Sequence, residues 1–248
     1  MQNTKSENSS KGELSIAEMF DRIAFRYDFL NSLLSMRQDK RWRKKLVSWL
    51  PKGSNAKLLD VACGTGDILQ TTLDRRPDYS ECVGVDISKE MLKIADKKLS
   101  ENFKEQKKSL VLKEMSAEFL DLPSHNFDAI SIGFGLRNVQ NKENALHEFL
   151  RVLKPGGSLF ILEFFNSSSG LMTKLFRFYF HFILPFIGGL FSDKKAYSYL
   201  PRSVENFYSL EEFSNLLSCV GFQQGRRKVF LWGACVLVEA KKQNEPTH

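Results

Sequence analysis

Short apolar runs separated by amphipathic stretches set the pattern of this chain. The runs at 58–62, 82–85, 110–112, 129–134 and 159–164 are too short for buried helices and read as strands. Between them Met91, Ile94, Ala95 and Leu99, and again Ala145, Phe149, Val152 and Leu153, recur at helical spacing. Strands alternating with helices predict an α/β fold whose sheet is mostly parallel and covered on both faces. Upstream, residues 13–50 read as helical, with Ile16, Met19, Phe20 and Ile23 forming one stripe and Leu33, Leu34, Trp42, Leu46, Trp49 and Leu50 a second set. Pro51 to Ser54 breaks that pattern. After Phe165 the alternation stops until a helix near 210–220, followed by strands near 226–231 and 234–241. The predicted organisation is a disordered tail at 1–12 and one domain over 13–248. Within it lie N-terminal helices (13–53), a core (54–165), an apolar helical insertion (166–209) and a C-terminal helix with two strands (210–242).

Composition changes this picture in two places. The net charge is +7, and 21 of 248 residues are Phe, so the chain is suited to an anionic surface or a greasy substrate. Cys63, Cys82, Cys219 and Cys235 are too few and too scattered for a disulfide scaffold, and none forms a C-x-x-C pair. Free thiols fit a cytoplasmic protein, and the polar start lacks the apolar core of a signal peptide. The four histidines stand apart, so no metal site is expected.

The first strand runs into Asp60-Val61-Ala62-Cys63-Gly64-Thr65-Gly66-Asp67. Two glycines let a ligand approach the backbone, and the next strand ends at Asp86, placed to accept both hydroxyls of a ribose. A dinucleotide fingerprint would need a third glycine where Leu69 stands. Asp60 and Asp67 would repel a pyrophosphate but not the ammonium and sulfonium of S-adenosylmethionine.

These residues, with Val85-Asp86-Ile87-Ser88 and Leu153-Lys154-Pro155-Gly156-Gly157, resemble the motifs of class I S-adenosylmethionine-dependent methyltransferases. The resemblance implies a Rossmann-like sheet in the order 3-2-1-4-5-7-6 with strand 7 antiparallel. It also implies cofactor contacts from Asp60, Gly64, Thr65, Gly66, Asp86, Ile87, Ser116, Ala117 and Gly133. Three further segments narrow the likeness: Met19 to Asn31, Gly133 to Val139 with its F-G-L-R-N string, and Tyr197 to Phe207. Together they resemble the quinone C-methyltransferase family, which methylates the ring of a prenylated demethylquinol, either demethylmenaquinol or its ubiquinol-pathway counterpart. That family usually carries Asn or Asp where this chain has Ser116.

Neither the Asn/Asp-Pro-Pro-aromatic motif of amino-methylases nor a cysteine nucleophile follows strand 4. Arg137 and Asn138 stand there instead, a fixed cation and an amide suited to a phenolate oxygen. The alternative for Arg137 is an ion pair with a helix carboxylate such as Glu143. Tyr27 and Asn31 are expected to close over the cofactor or ring, with Phe134, Tyr197 and Tyr199 at the substrate. The Phe-rich segment 170–191 reads as a lid or a membrane-resting helix, or as core packing. The run Arg37, Lys40, Arg41, Arg43, Lys44 and Lys45 suits phosphates of RNA or of lipid headgroups, or is a solvated helix face. A nucleic-acid partner is not expected, and a homo-oligomer stays open. Two rivals remain: an RNA or protein methyltransferase, and a non-catalytic lipid-binding protein on the same fold.

Overall fold

The computed structural model describes residues 16–35, 38–103, 109–166, 194–233 and 235–244. The expected tail at 1–12 and the Phe-rich segment 170–191 lie outside these residues. Seven strands form one sheet in the order β3-β2-β1-β4-β5-β7-β6. They are β1 (Ala56–Val61), β2 (Tyr79–Asp86), β3 (Ser109–Glu114), β4 (Phe127–Gly133), β5 (Leu153–Phe164), β6 (Phe222–Phe230) and β7 (Cys235–Lys242). Only β7 runs against its neighbours β5 and β6; the other pairings are parallel. Seven described helices flank the sheet: α1 (Ile16–Leu34), α2 (Gln38–Trp49), α3 (Asp67–Arg75), α4 (Lys89–Phe103), α5 (Lys142–Val152), α6 (Lys194–Glu205) and α7 (Leu210–Val220).

The uniformly apolar strands follow from burial on both faces. In β1, Leu59 and Val61 join one core cluster and Leu58 the other. In β5, Leu159 and Ile161 face Phe149, Phe213 and Leu217, while Phe160 and Leu162 join Trp42, Leu46 and Leu69. Ser209 and Glu212 form a capping box that starts α7, and Gly221, at φ 111°, ends it.

Two boundaries differ from the sequence pattern. β6 begins at Phe222 rather than near 226, because Gln223, Gln224 and Gly225 lie on the exposed edge strand and carry no apolar signal. A register shift between Gln224 and Arg227 accommodates Gly225, where a β-carbon would stand 2.8 Å from the Glu239 carbonyl oxygen. β5 begins at Leu153 rather than near 159, so the Lys154 to Gly157 segment is part of the strand; pairing with β4 shifts register there.

Candidate active site

Strand order reverses between β1 and β4, and in open α/β sheets ligands bind beyond the carboxyl ends of strands at such a point. After β1 the chain turns sharply through Ala62 (φ 50°), Gly64 (φ 55°) and Gly66 (φ 80°) into α3. A β-carbon built on Gly64 meets nothing within 4 Å, so this backbone faces open space. The Gly64 N–H donates to Asp86 Oδ2 at 2.8 Å, and the Ser88 N–H donates to Oδ1 at 2.9 Å. Asp86 is thereby fixed at the end of β2. Burial pushes its pKa up, against the two amides that favour the charged form.

After β4 the chain turns at Phe134, which also has positive φ (60°). Such backbone costs a non-glycine residue about 1–3 kcal/mol and clusters at functional sites. The next residue must be glycine: a β-carbon on Gly135 would lie 2.5 Å from that of Ala62. The two turns therefore touch, and an open cleft of about 750 Å³ lies against them. Gly64, Asp86, Ile87, Ser116, Ala117, Gly133, Phe134, Arg137, Asn138 and Tyr199 all line it, joined by Phe20 of α1, Met91, Met115 and Lys142.

The remaining expected cofactor residues stand behind this wall. Thr65 is buried and accepts from Lys98 Nζ at 3.2 Å; Gly66 packs against Ala95 and Leu99. Asp60 is 1% exposed at the end of β1. Its Oδ1 accepts from Ser131 Oγ at 2.6 Å, while its Oδ2 is buried without a partner. Burial pushes its pKa up to about 7, opposed by the Ser131 hydroxyl and the Arg43 charge. Tyr27 and Asn31 belong to the backbone of α1 and Tyr197 to that of α6, but their side chains lie outside what is described.

Three expectations are corrected. Asp67 does not offer its charge to a ligand, because Lys98 Nζ sits 2.7 Å and Arg43 Nη1 3.0 Å away. Burial opposes its ionisation, but these two cations outweigh it and hold the carboxyl below its ordinary range. Arg43 leaves the basic surface for the same reason: it is buried between Asp39 and Asp67. Arg137 pairs with Glu163, not Glu143: Nη1 is 2.7 Å from Glu163 Oε1, and the two side chains are 7% and 0% exposed. Arg137 Nη1 also donates to the Phe134 carbonyl, and Nε to Ser203 Oγ of α6 at 3.2 Å. Its guanidinium thus ties the turn after β4 to β5 and α6. Asn138 Oδ1 is buried without a partner.

Glu163, Ser203 and Lys142 were not among the expected residues. A lone carboxylate ending the apolar run of β5 is a readable signal for Glu163. Lys142 Nζ donates to the Val139 carbonyl at 2.8 Å, and burial lowers its pKa.

A seven-stranded sheet with one antiparallel strand, and a cleft built from a glycine turn and a carboxylate ending β2, define the class I S-adenosylmethionine-dependent methyltransferase fold. Solved structures share it, including a possible histamine N-methyltransferase from Thermotoga maritima (TM-score 0.62, 21% identity, covering 91% of this chain and 99% of that one). Another is the [4+2]-cyclase SpnF (TM-score 0.67, 17% identity, 93% and 96%). At these identities the likeness concerns the fold alone. The chain belongs to the ubiE/COQ5 methyltransferase family, whose model matches residues 4–242. It is 40% identical to a ubiquinone/menaquinone biosynthesis C-methyltransferase of Geobacter sulfurreducens over 94% of this chain and 90% of that one. It is 35% identical to a demethylmenaquinone methyltransferase of Bacteroides fragilis, over 95% of each.

Proposed function

We propose that this chain transfers a methyl group from S-adenosylmethionine to a ring carbon of a prenylated quinol, with demethylmenaquinol as the substrate. The observation that carries this reading is the single cleft in which Gly64 and Asp86 face the same space as Arg137, Asn138 and Tyr199. Its relatives' names point to the same substrate class. The residues present fit the cofactor: an open glycine backbone, a fixed carboxylate for the ribose hydroxyls and, behind the cleft wall, a buried Asp60 whose charge favours a cationic ligand. Ile87, Ser116, Ala117 and Gly133 complete that end of the cleft.

When bound, the cofactor supplies an electrophilic methyl on a sulfonium. The chain must activate the ring carbon, which ionising a neighbouring hydroxyl does by pushing charge onto it. Arg137 and Asn138 hold that oxygen. Because Glu163 matches the charge of Arg137, the arginine acts as a directed hydrogen-bond donor rather than as a net cation. It stays protonated, so the hydroxyl proton leaves to water; the ring carbon that gains the methyl gives up its own hydrogen as a proton, and the ring oxygen is reprotonated. Phe134 and Tyr199 form the substrate side and keep water out.

Reduced demethylmenaquinone and a reduced demethylated benzoquinone, offered side by side, should separate the substrates. Mass spectrometry should find one added methyl on the naphthoquinol ring. Methylation of added RNA or protein with neither quinol modified would overturn the reading. The cofactor half is tested by melting. A ligand at 100 times its Kd adds about 2.7 kcal/mol to stability. S-adenosylhomocysteine should raise the melting temperature of the wild type, and Asp86→Ala should lose most of that shift. An undiminished shift would remove Asp86 from the ribose.

A further inference from the structure

The excess positive charge of this protein is confined to two elements that are distant in sequence and adjacent in space. Helix α2 and strand β6 together hold eight of the 36 Lys and Arg but only one of the 29 Asp and Glu. The remaining 28 cations and 28 anions cancel, so the +7 of the whole chain equals the charge of these two elements. They meet through their aromatic residues. The Arg226 guanidinium lies 4.6 Å from the centre of the Trp49 ring and donates to the Trp49 carbonyl. Lys45 Nζ lies 5.6 Å from the same ring. Trp42 and Phe230 pack at 5.9 Å. Arg226, Lys228 and Phe230 alternate onto one side of β6, and Arg226 and Phe230 both touch α2, which sets Lys228 against the same helix.

The side chains that remain outside on this side are Lys40, Arg41, Lys44 and Lys45 of α2 and Arg226 and Lys228 of β6, all exposed. The one carboxylate of α2, Asp39, is buried against Arg43 and does not offset them. Arg226 is matched by Glu239. β6 is an edge strand, and its exposed cations discourage pairing with another sheet.

We infer that this composite face of α2 and β6 docks the protein on an anionic lipid bilayer. Phosphate recognition alone would also suit nucleic acid. Lipid is favoured by the apolar group set among the cations: Trp49, half-buried between Lys45 and Arg226. It is favoured too by position. Trp42 of α2 packs 6.1 Å from Phe134, which lines the cleft, so the basic layer backs onto the wall of the site. This placement rests on the proposed reaction only in supposing a prenylated substrate drawn from the bilayer.

The test uses the full chain and sedimentation with vesicles of phosphatidylcholine alone or mixed with phosphatidylglycerol. Binding should require the anionic lipid and weaken as salt rises. Each surface cation near an anionic membrane adds about 1 kcal/mol, so losing two should weaken binding by about 30-fold. Lys44→Gln with Lys45→Gln should do so, and Lys228→Gln alone should weaken binding about fivefold. Melting temperature and turnover on a short-tailed, water-soluble quinol should be unchanged in both variants. Equal binding to neutral vesicles, retention by RNA but not by anionic vesicles, or a Lys228→Gln variant that binds like wild type would each overturn the inference. Vesicle binding is read without methyl transfer, so failure of the docking face and failure of the proposed reaction are distinguishable.

Discussion

Arg137→Ala is expected to lower turnover on a reduced quinone by about 100- to 1000-fold, the usual loss when one preorganised donor to a developing oxyanion is removed. Cofactor affinity, measured by calorimetry, should change little, since Gly64 and Asp86 are held by other contacts. Arg137→Lys should rescue poorly, because an ammonium cannot reproduce a fork that reaches Glu163, Ser203 and the Phe134 carbonyl together. The complication is Glu163. It is fully buried, and removing its partner leaves a stranded carboxylate at a typical cost of about 3–5 kcal/mol. Loss of activity in Arg137→Ala would then mix chemistry with damage to the fold. Replacing the whole pair, Arg137→Met with Glu163→Leu, separates the two, because apolar replacement of a buried ion pair is often neutral or stabilising. If the double variant melts like wild type yet stays at least 100-fold slow, the guanidinium acts on the reacting ring. If it recovers activity along with stability, Arg137 only braces the turn after β4.

That ambiguity shows where sequence reading reached its limit. The strands were legible because buried parallel strands are apolar on both faces, whereas their order came only with the family resemblance; the glycine turn and Asp86 were legible because their spacing follows from one βαβ unit. Gly135 was legible as part of a motif, but its physical reason, contact with the β-carbon of Ala62, exists only once β1 and β4 are neighbours. Partner identities were hidden for the same reason. Glu143 is six residues from Arg137 along the chain, whereas Glu163 reaches it only because β5 pairs with β4. Arg43 looked like one more surface cation in a basic run, yet it turns inward to Asp39 and Asp67. Conversely, Lys228 carries no motif and gains meaning only beside α2. Long-range pairing of charges, rather than secondary structure, was what the pattern of residues could not express.

Asp60 should make cofactor binding depend on pH in a direction opposite to its effect on the fold. In the free protein its pKa is raised from 3.8 to about 7, chiefly by burial. The native state therefore keeps a proton that the unfolded chain releases, so stability is highest below pH 4 for this group and falls as pH rises towards 7. Above 7 both states are ionised and the dependence ends. Asp60→Asn keeps a neutral, hydrogen-bonded group beside Ser131 and should remove that slope, melting higher than wild type at pH 7.5. Cofactor binding runs the other way. A cationic ligand selects the ionised carboxylate, whose Oδ2 has no partner in the protein. Affinity should rise about tenfold per pH unit up to about 7, and binding should release close to one proton below that point. Above about 7.7–8.0 the cofactor's own α-amino group begins to lose its charge, so the profile should turn down. Asp60→Asn should flatten the rise and weaken binding, because a neutral amide behind the cleft wall no longer attracts the cation. Calorimetry in buffers of different ionisation enthalpy counts the released proton directly. An affinity that does not change between pH 5.5 and 7.5, or one that rises equally in Asp60→Asn, would show that Asp60 serves the fold and not the ligand.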